Sequence, residues 1–353
     1  MMKNDPSSAA RTARRRMRTT STAAAFVMSM TLVCGGNAAG ADEPKAADPV
    51  ASAGCALPAV APGNSTGQFA AAGKSGSYVQ DVPAGTSGAL PVVFDIHGYL
   101  EPAQIERVAT GVGQFGIEHG FATITPQLDE PGWPRWDFSE NSDDVAYLSE
   151  LLTHVESTLC VDLRRVFVTG LSMGGFTTSS LACQLADRIA AVAPVAGLQD
   201  FAWCNPARPI PVIAFHGTAD PFVAYTGGSG PNAQLLPSAD GSGSAAGRGG
   251  TMPSGVNGPG PASIPTQAAA WAHRNGCGSE PEEHRIAGDV TLFRYPCPVN
   301  GAVELYALLG GGHTWPGSPP IAPEPLVGAT ASISANQIMW DFFQAHPHTG
   351  PLR

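Results

Sequence analysis

Three side chains far apart in the chain carry the chemistry this sequence is equipped for. Ser172 stands at the centre of Gly170-Leu171-Ser172-Met173-Gly174, a G-x-S-x-G pentapeptide that follows the strand-like run "VFVT" and leads into a plausible helix. Glycines on both sides permit a tight turn, and a serine raised on such a corner presents its oxygen to a substrate, with the positive end of the following helix beneath it. A serine hydroxyl is a poor nucleophile at neutral pH, so a histidine must take its proton and an acid must orient that histidine. In a strand-turn-helix setting the expected chain order is serine, acid, histidine. Asp220, closing "AFHGTAD", and His313, in "GGGHTWPG", stand in that order, each just beyond an apolar run.

Each role has rivals. Asp95 lies inside an apolar strand, Asp143 and Asp144 open a helix as capping residues, and Asp200 follows another strand. Among the histidines, His97 and His216 precede glycines at strand ends and read as loop-shaping, His119, His154, His273 and His284 as surface residues, and His346 and His348 as part of a frayed tail. His313 is preferred because three preceding glycines let its backbone approach the elbow and because it lies downstream of Asp220. An oxyanion formed during attack on a carbonyl needs two N–H donors. The backbone N–H of Met173 and one from the loop after "FDIHG", with Tyr99 as its natural donor, are expected to supply them. The Tyr99 ring is a candidate wall of the acyl pocket, with packing as the alternative.

The elements that must position these groups alternate along the chain. Strand-like runs at Leu90 to Gly98, Phe121 to Pro126, Arg165 to Thr169, Ala190 to Ala196 and Ile210 to Gly217 are interleaved with helical segments at Pro102 to His119, Ser142 to Leu159 and Met173 to Leu185. That alternation predicts an α/β fold, a mainly parallel central sheet with helices on both faces. Strand candidates at Gly67 to Ala72 and Ser77 to Val82 precede it. A helix at Gln267 to Arg274, strands "VTLFRYP" and "VELYALL", and a helix at Ser334 to Ala345 follow. Thr226 to Pro265 is Gly/Ser/Pro-rich without apolar periodicity and reads as a flexible surface insertion, with an ordered lid as the alternative. The reading is one catalytic domain over residues 66–348 behind a loose lead-in at 42–65.

The chain has 353 residues, 43 % of them hydrophobic, enough for a sizeable core. Its first 41 residues have the three parts of a secretory leader: Arg11, Arg14, Arg15, Arg16 and Arg18, an apolar run from Ala23 to Val33, and small residues ending at Ala41. The apolar run is too short for a membrane span, which needs roughly 20 residues. The arginine cluster leaves general secretion and twin-arginine export both open. Removing the leader takes away six basic side chains, those five arginines and Lys3, and one acid, Asp5, moving the formal charge from −10 to −15. Nucleic acid and anionic membranes would repel so acidic a surface, and a neutral or cationic partner suits it better. Six of the seven cysteines remain after Cys34, an even number in an exported chain, which predicts disulfides, with Cys277 and Cys297 the best pair. No zinc-spaced Cys/His cluster is present, and neither a metal nor an organic cofactor is implied.

Taken together, "VVFDIHGY", "CVDLRRVFVTGLSMGG", "PVIAFHGTADPFVAY", "WAHRNGC", "GGGHTWPG" and "IMWDFF" resemble the secreted esterases grouped with polyhydroxybutyrate depolymerases and feruloyl esterases, a branch of the α/β hydrolases. The resemblance runs from about Val82 to Phe343. It implies an α/β-hydrolase fold with Ser172 as nucleophile, Asp220 as acid and His313 as base, and it implies that Trp315, Tyr225 and Trp133 or Trp136 wall the substrate cleft. It also implies a monomeric serine esterase acting on feruloyl esters of plant polysaccharide, on polyhydroxyalkanoate-type polyesters, or on small acetyl esters. An acyltransferase with the same triad is the main alternative. The insertion is longer than this family leads one to expect.

Overall fold

Leu90–Ile96 (β3) is buried along its whole length, as a strand covered by helices on both faces must be. Its alternate residues enter two different cores. Val92, Phe94 and Ile96 pack on one face with Leu148, Leu151 and Trp271, and Val93 packs on the other with Phe167, Trp340 and Phe343. The computed structural model describes residues 48–85, 87–238 and 262–352. The expected leader at 1–41 and the middle of the glycine-rich insertion lie outside the described residues.

In chain order the elements are β1 (Gly63–Ala71), β2 (Lys74–Val82), β3, α1 (Ala103–Thr110), α2 (Val112–His119), β4 (Ala122–Leu128), α3 (Asp143–Thr158), β5 (Val161–Leu171), α4 (Met173–Gln184), β6 (Ala191–Val195) and β7 (Val212–Gly217). They continue with α5 (Ile264–Arg274), β8 (Glu282–Ala287), β9 (Val290–Arg294), β10 (Val303–Leu308), α6 (Glu324–Val327) and α7 (Ala335–Ala345). The described strands form one sheet in the order β1-β2-β4-β3-β5-β6-β7-β10-β9-β8. β4, β3, β5, β6, β7 and β10 run parallel, and antiparallel strands finish both edges. The chain moves outward from β3 to β4 and then returns to the other side of β3 as β5. The carboxyl ends of β3 and β5 therefore diverge at a switch point, the place where open α/β sheets form their ligand crevice.

Several expectations are corrected. The helix expected from Pro102 to His119 is two helices, because Gly111 at φ +65° ends α1 and starts α2. The lead-in is not loose from residue 48 onward. Ser52 bonds both ways with the start of β5, through Ser52 N–H to Val161 O (2.8 Å) and Val161 N–H to Ser52 Oγ (3.0 Å), and Cys55 is joined to Cys160. The tail is not frayed either: His348 is buried, its N–H donates to Arg164 O and its carbonyl accepts from Arg164 Nη1 at 2.7 Å. The described flanks of the insertion are ordered. Asn232 Nδ2 donates to Leu326 O at 2.7 Å, and Ser263 caps α5. Disulfides also join Cys183 to Cys204 and, as expected, Cys277 to Cys297.

Candidate active site

β5 delivers its last residue, Leu171, to the switch point, and the backbone then turns through Ser172 at φ 60°, ψ −117° into α4. A side chain held in this region costs on the order of 1–3 kcal/mol, and the surroundings must impose it. Here they do: Ser172 N–H donates to Val195 O on β6 at 2.9 Å, and Phe176 N–H returns to Ser172 O at 3.0 Å. The turn closes only because Gly174 has no side chain, since a Cβ there would collide with the Ile96 carbonyl of β3. Residues Met173 through Cys183 of α4 are all buried, which anchors the helix beneath the serine.

Asp220 sits just past β7, and its side chain is fully buried. Oδ1 accepts from Phe222 N–H (2.8 Å) and Val223 N–H (2.9 Å), and Oδ2 accepts from His313 Nδ1 at 2.7 Å. The loops that carry the pair are stitched together by Thr218 N–H to Leu308 O, Ala219 N–H to Gly311 O and Gly310 N–H to Thr218 Oγ1. His313 is held in turn by its own N–H on Val327 O at 2.6 Å. Burial works against the charged form of Asp220, but the His313 imidazole, through charge and hydrogen bond, carries its carboxyl below the ordinary range. Burial likewise works against the His313 cation, and Asp220 outweighs it, raising the imidazole above its ordinary value. With Nδ1 committed to Asp220, the opposite edge of the ring is left for the cleft, which His313 and Ser172 both line.

His216, expected to shape a loop, also packs against Asp220. Its Nε2 donates to Val223 O at 2.9 Å and lies 3.4 Å from Asp220 Oδ2. Complete burial holds its pKa below the ordinary value. A neutral imidazole there supports Asp220 without competing as a cation. Asp200, another rival, is spent on a salt bridge with Arg274, and Asp95 accepts from Thr110 Oγ1 at 2.6 Å in the core.

The cleft has a cavity volume of about 140 Å³. Its walls are mainly apolar, with Leu236, Phe222, Pro320 and Ile321 among them. Met173 is the first residue of α4 and also lines the cleft, as does Tyr99, whose hydroxyl donates to Pro237 O at 2.9 Å. Leu100 N–H and Glu101 N–H, on the same loop as Tyr99, are committed to Pro134 O and Gly98 O.

Of the four expected cleft residues the structure brings one to the wall. Trp315 lines it, 2 % exposed, with its indole N–H on Asn336 Oδ1 at 2.8 Å. Trp136 is not a wall residue: it is 1 % exposed behind the elbow, where its indole N–H donates to His97 O (3.2 Å) and its backbone N–H to Met173 Sδ (3.2 Å). Tyr225 is also placed elsewhere, half-buried beside His216 with its carbonyl accepting from Ile264 at the start of α5. Trp133 is 45 % exposed, outside the cleft, next to the Pro134 carbonyl that holds the Tyr99 loop. Sequence reasoning missed Glu101, Leu236 and the Pro319 to Ala322 segment, all of which line the cleft. Glu101 was the most accessible of these, two residues beyond Tyr99; the others are ordinary loop residues until the fold places them.

No protein-family model matches the chain. It is 32 % identical over 242 residues to feruloyl esterase B of Piromyces equi, covering 65 % of this chain and 41 % of that protein. It is 28 % identical over 135 residues to a bifunctional acetylxylan esterase/xylanase of Neocallimastix patriciarum, covering 38 % of this chain and 20 % of the relative. The chain thus spans less than half the length of either relative. Among solved structures, the acetyl xylan esterase from Aspergillus awamori superposes with a TM-score of 0.54 at 14 % identity, over 80 % of this chain and 99 % of that one. At that identity the likeness establishes the fold, which is that of the α/β hydrolases.

Proposed function

We infer that this α/β hydrolase, a relative of the feruloyl esterases, is a serine carboxylic ester hydrolase. The observation that carries the reading is the 2.7 Å bond between His313 Nδ1 and a fully buried Asp220, with His313 lining the same cleft as Ser172 on its positive-φ elbow. An ester carbonyl enters against Ser172. His313 takes the hydroxyl proton as the oxygen attacks, and Asp220 steadies the imidazolium that results. The N–H groups of Met173 and Tyr99 receive the negative charge that develops on the carbonyl oxygen; one such donor is typically worth about 10²–10³ in turnover. His313 then gives its proton to the departing alcohol, and water, activated by the same imidazole, releases the acyl group from Ser172.

The proposed substrates are feruloyl or acetyl esters of plant polysaccharide, in keeping with the relatives' activities and with an apolar cleft that takes a planar or small acyl group against Trp315 and Leu236. Trp133, exposed beside the Tyr99 loop, is proposed to meet the sugar side of the substrate outside the cleft. Three disulfides among the described residues support export to an oxidising compartment, with residues 1–41 as the leader.

The test is a panel of methyl ferulate, acetylated xylan, p-nitrophenyl acetate and hydroxybutyrate oligomers, run on wild type and Ser172→Ala. Methyl ferulate or acetylated xylan should be cleaved fastest, and the variant should stay folded while losing nearly all turnover. Undiminished cleavage by Ser172→Ala defeats the mechanism, and a preference for the hydroxybutyrate oligomers defeats the substrate assignment.

A further inference from the structure

The loop that carries Tyr99 comes up against the elbow at Gly98. A Cβ on Gly98 would stand 3.3 Å from the carbonyl of Leu171, the residue before Ser172, and closer still to the Glu101 carboxyl, so a glycine is what lets the loop lie this near the nucleophile. The approach has a cost, because a glycine leaves the peptide that follows it easy to turn over. That peptide carries the Gly98 carbonyl on one side and, in the trans form, the Tyr99 N–H on the other. Whatever fixes the direction of the carbonyl therefore fixes the direction of the N–H.

Two groups hold the Gly98 carbonyl. Glu101 N–H reaches it only at 3.4 Å, longer than a normal bond, across a turn that keeps Leu100 strained at φ 70°. His97 Nδ1 reaches it at 2.8 Å. A carbonyl only accepts, so Nδ1 carries the ring proton and Nε2 is bare; Nε2 is buried and finds no hydrogen-bond partner among the described residues. The ring is 0 % exposed, packs on Trp136 with centroids 4.8 Å apart, and has its pKa lowered to about 4 by burial, so it stays neutral at working pH. The backbone of His97 is held as well. His97 O accepts from the Trp136 indole N–H at 3.2 Å, and Trp136 N–H rests on Met173 Sδ at 3.2 Å. His97 and Trp136 thus link the loop of Tyr99 to Met173, the residue expected to supply the other oxyanion N–H.

We propose that His97 is a positioning residue for ester cleavage: by donating Nδ1–H to the Gly98 carbonyl it locks the Gly98–Tyr99 peptide with its N–H toward the carbonyl oxygen of the substrate. The proposal rests on the reading of the Tyr99 N–H as an oxyanion donor. Buried and outside the cleft wall, His97 acts through this peptide and does not touch the substrate. Without its donor the carbonyl keeps only the 3.4 Å contact with Glu101 N–H. A peptide that then turns over presents its carbonyl oxygen where the N–H should be, and that oxygen repels the charge developing on the substrate.

Two variants of the full chain test this. His97→Leu removes the donor at similar bulk, and His97→Asn puts an amide NH₂ near the place of Nδ1. One oxyanion donor is typically worth about 10²–10³ in turnover, and a peptide misaimed part of the time forfeits part of that. His97→Leu should therefore lower kcat about 10- to 100-fold with KM held within about twofold, because the oxyanion exists only on the way through the transition state. The loss should be alike on p-nitrophenyl acetate and methyl ferulate, which present the same ester carbonyl, and His97→Asn should recover most of it. Nitrogen NMR of the wild-type His97 ring should place its proton on Nδ1. Wild-type kcat in His97→Leu, a loss carried by KM instead, a His97→Asn enzyme as impaired as His97→Leu, or a proton on Nε2 overturns the proposal. If His97→Leu does not fold, His97→Asn against wild type and the ring proton still decide it. A wild-type chain that cleaves no ester would instead count against the esterase reading, and the ring proton then still tells whether His97 holds the Gly98 carbonyl.

Discussion

Replacing Asp220 with asparagine separates what this carboxylate does for the fold from what it does for the imidazole. Oδ1 holds the N–H groups of Phe222 and Val223, and Oδ2 holds His313 Nδ1–H. An asparagine can orient its amide in two ways. With its oxygen on the two backbone donors, the NH₂ faces His313 and must donate to Nδ1, which forces the ring proton onto Nε2. With the NH₂ on the backbone donors, two buried N–H groups lose their acceptor at about 1–3 kcal/mol each, so the first orientation wins. The imidazole is then in the wrong tautomer to take the serine proton. In serine hydrolases with this triad logic that error costs about 10⁴ in kcat, equivalent to about 5.5 kcal/mol of barrier. The fold should barely notice, because the backbone bonds survive. Asp220→Ala should lose activity to a similar extent but also destabilise the chain, having orphaned both donors. Steady-state kcat on p-nitrophenyl acetate and urea midpoints for both variants read the two effects. If Asp220→Asn keeps more than about a tenth of wild-type kcat, an effect of less than about 1.4 kcal/mol, the assignment of Asp220 as the orienting acid is wrong.

The raised pKa of His313 places the acid limb of kcat/KM above the ordinary histidine value. Activity should therefore rise with pH through that limb as the base becomes neutral, and the limb should move down in Asp220→Asn, as a pH-rate series on the residual activity will read. His97 is fully buried with its pKa lowered to about 4 from 6.5, chiefly by burial. The unfolded chain gains a proton there below pH 6.5 while the fold refuses it, so stability should fall by about 3 kcal/mol between pH 6.5 and 4. His97→Asn should remove that share of the pH dependence of urea unfolding. Removing the Cys55–Cys160 link, which spans 105 residues, should lower stability by about 2–4 kcal/mol, with kcat unchanged within about twofold; a large loss of kcat at full stability would show that the lead-in reaches the site. Gly174→Ala pushes a methyl into the Ile96 carbonyl. By displacing the elbow about 1 Å it should cost about 10²-fold or more in kcat, and wild-type kinetics would mean the turn has slack the structure denies.

How much of this was legible beforehand divides by the range of the interaction. The β3, β5, β6 and β7 strands were readable because a parallel strand buried on both faces shows as an unbroken apolar run, and α3 because Ser142 announces its cap, with its hydroxyl accepting from Val145 N–H. The elbow was readable because a turn that admits no Cβ writes its glycines into the sequence around Ser172. β8 was missed because its residues are almost all exposed and alternate with nothing. α6 was missed because one turn of helix has no period to detect.

By itself the amino-acid order indicated the α/β alternation, set the three side chains proposed for catalysis in their chain order, and pointed to Cys277 and Cys297 as a pair, readings that follow from local backbone geometry or from spacing along the chain. Tertiary structure alone decided the rest. It turned Trp136 into a buttress behind Met173, set Tyr225 beside His216, drew Leu236 and Glu101 into the cleft, and placed Glu106 where its carboxyl accepts from the N–H of Leu171. None of these follows from residue type, because an aromatic ring or a carboxyl is equally at home in a wall, a core or a surface. Which of these it occupies is settled by the direction its Cα–Cβ bond takes once the sheet has twisted and the loops have closed.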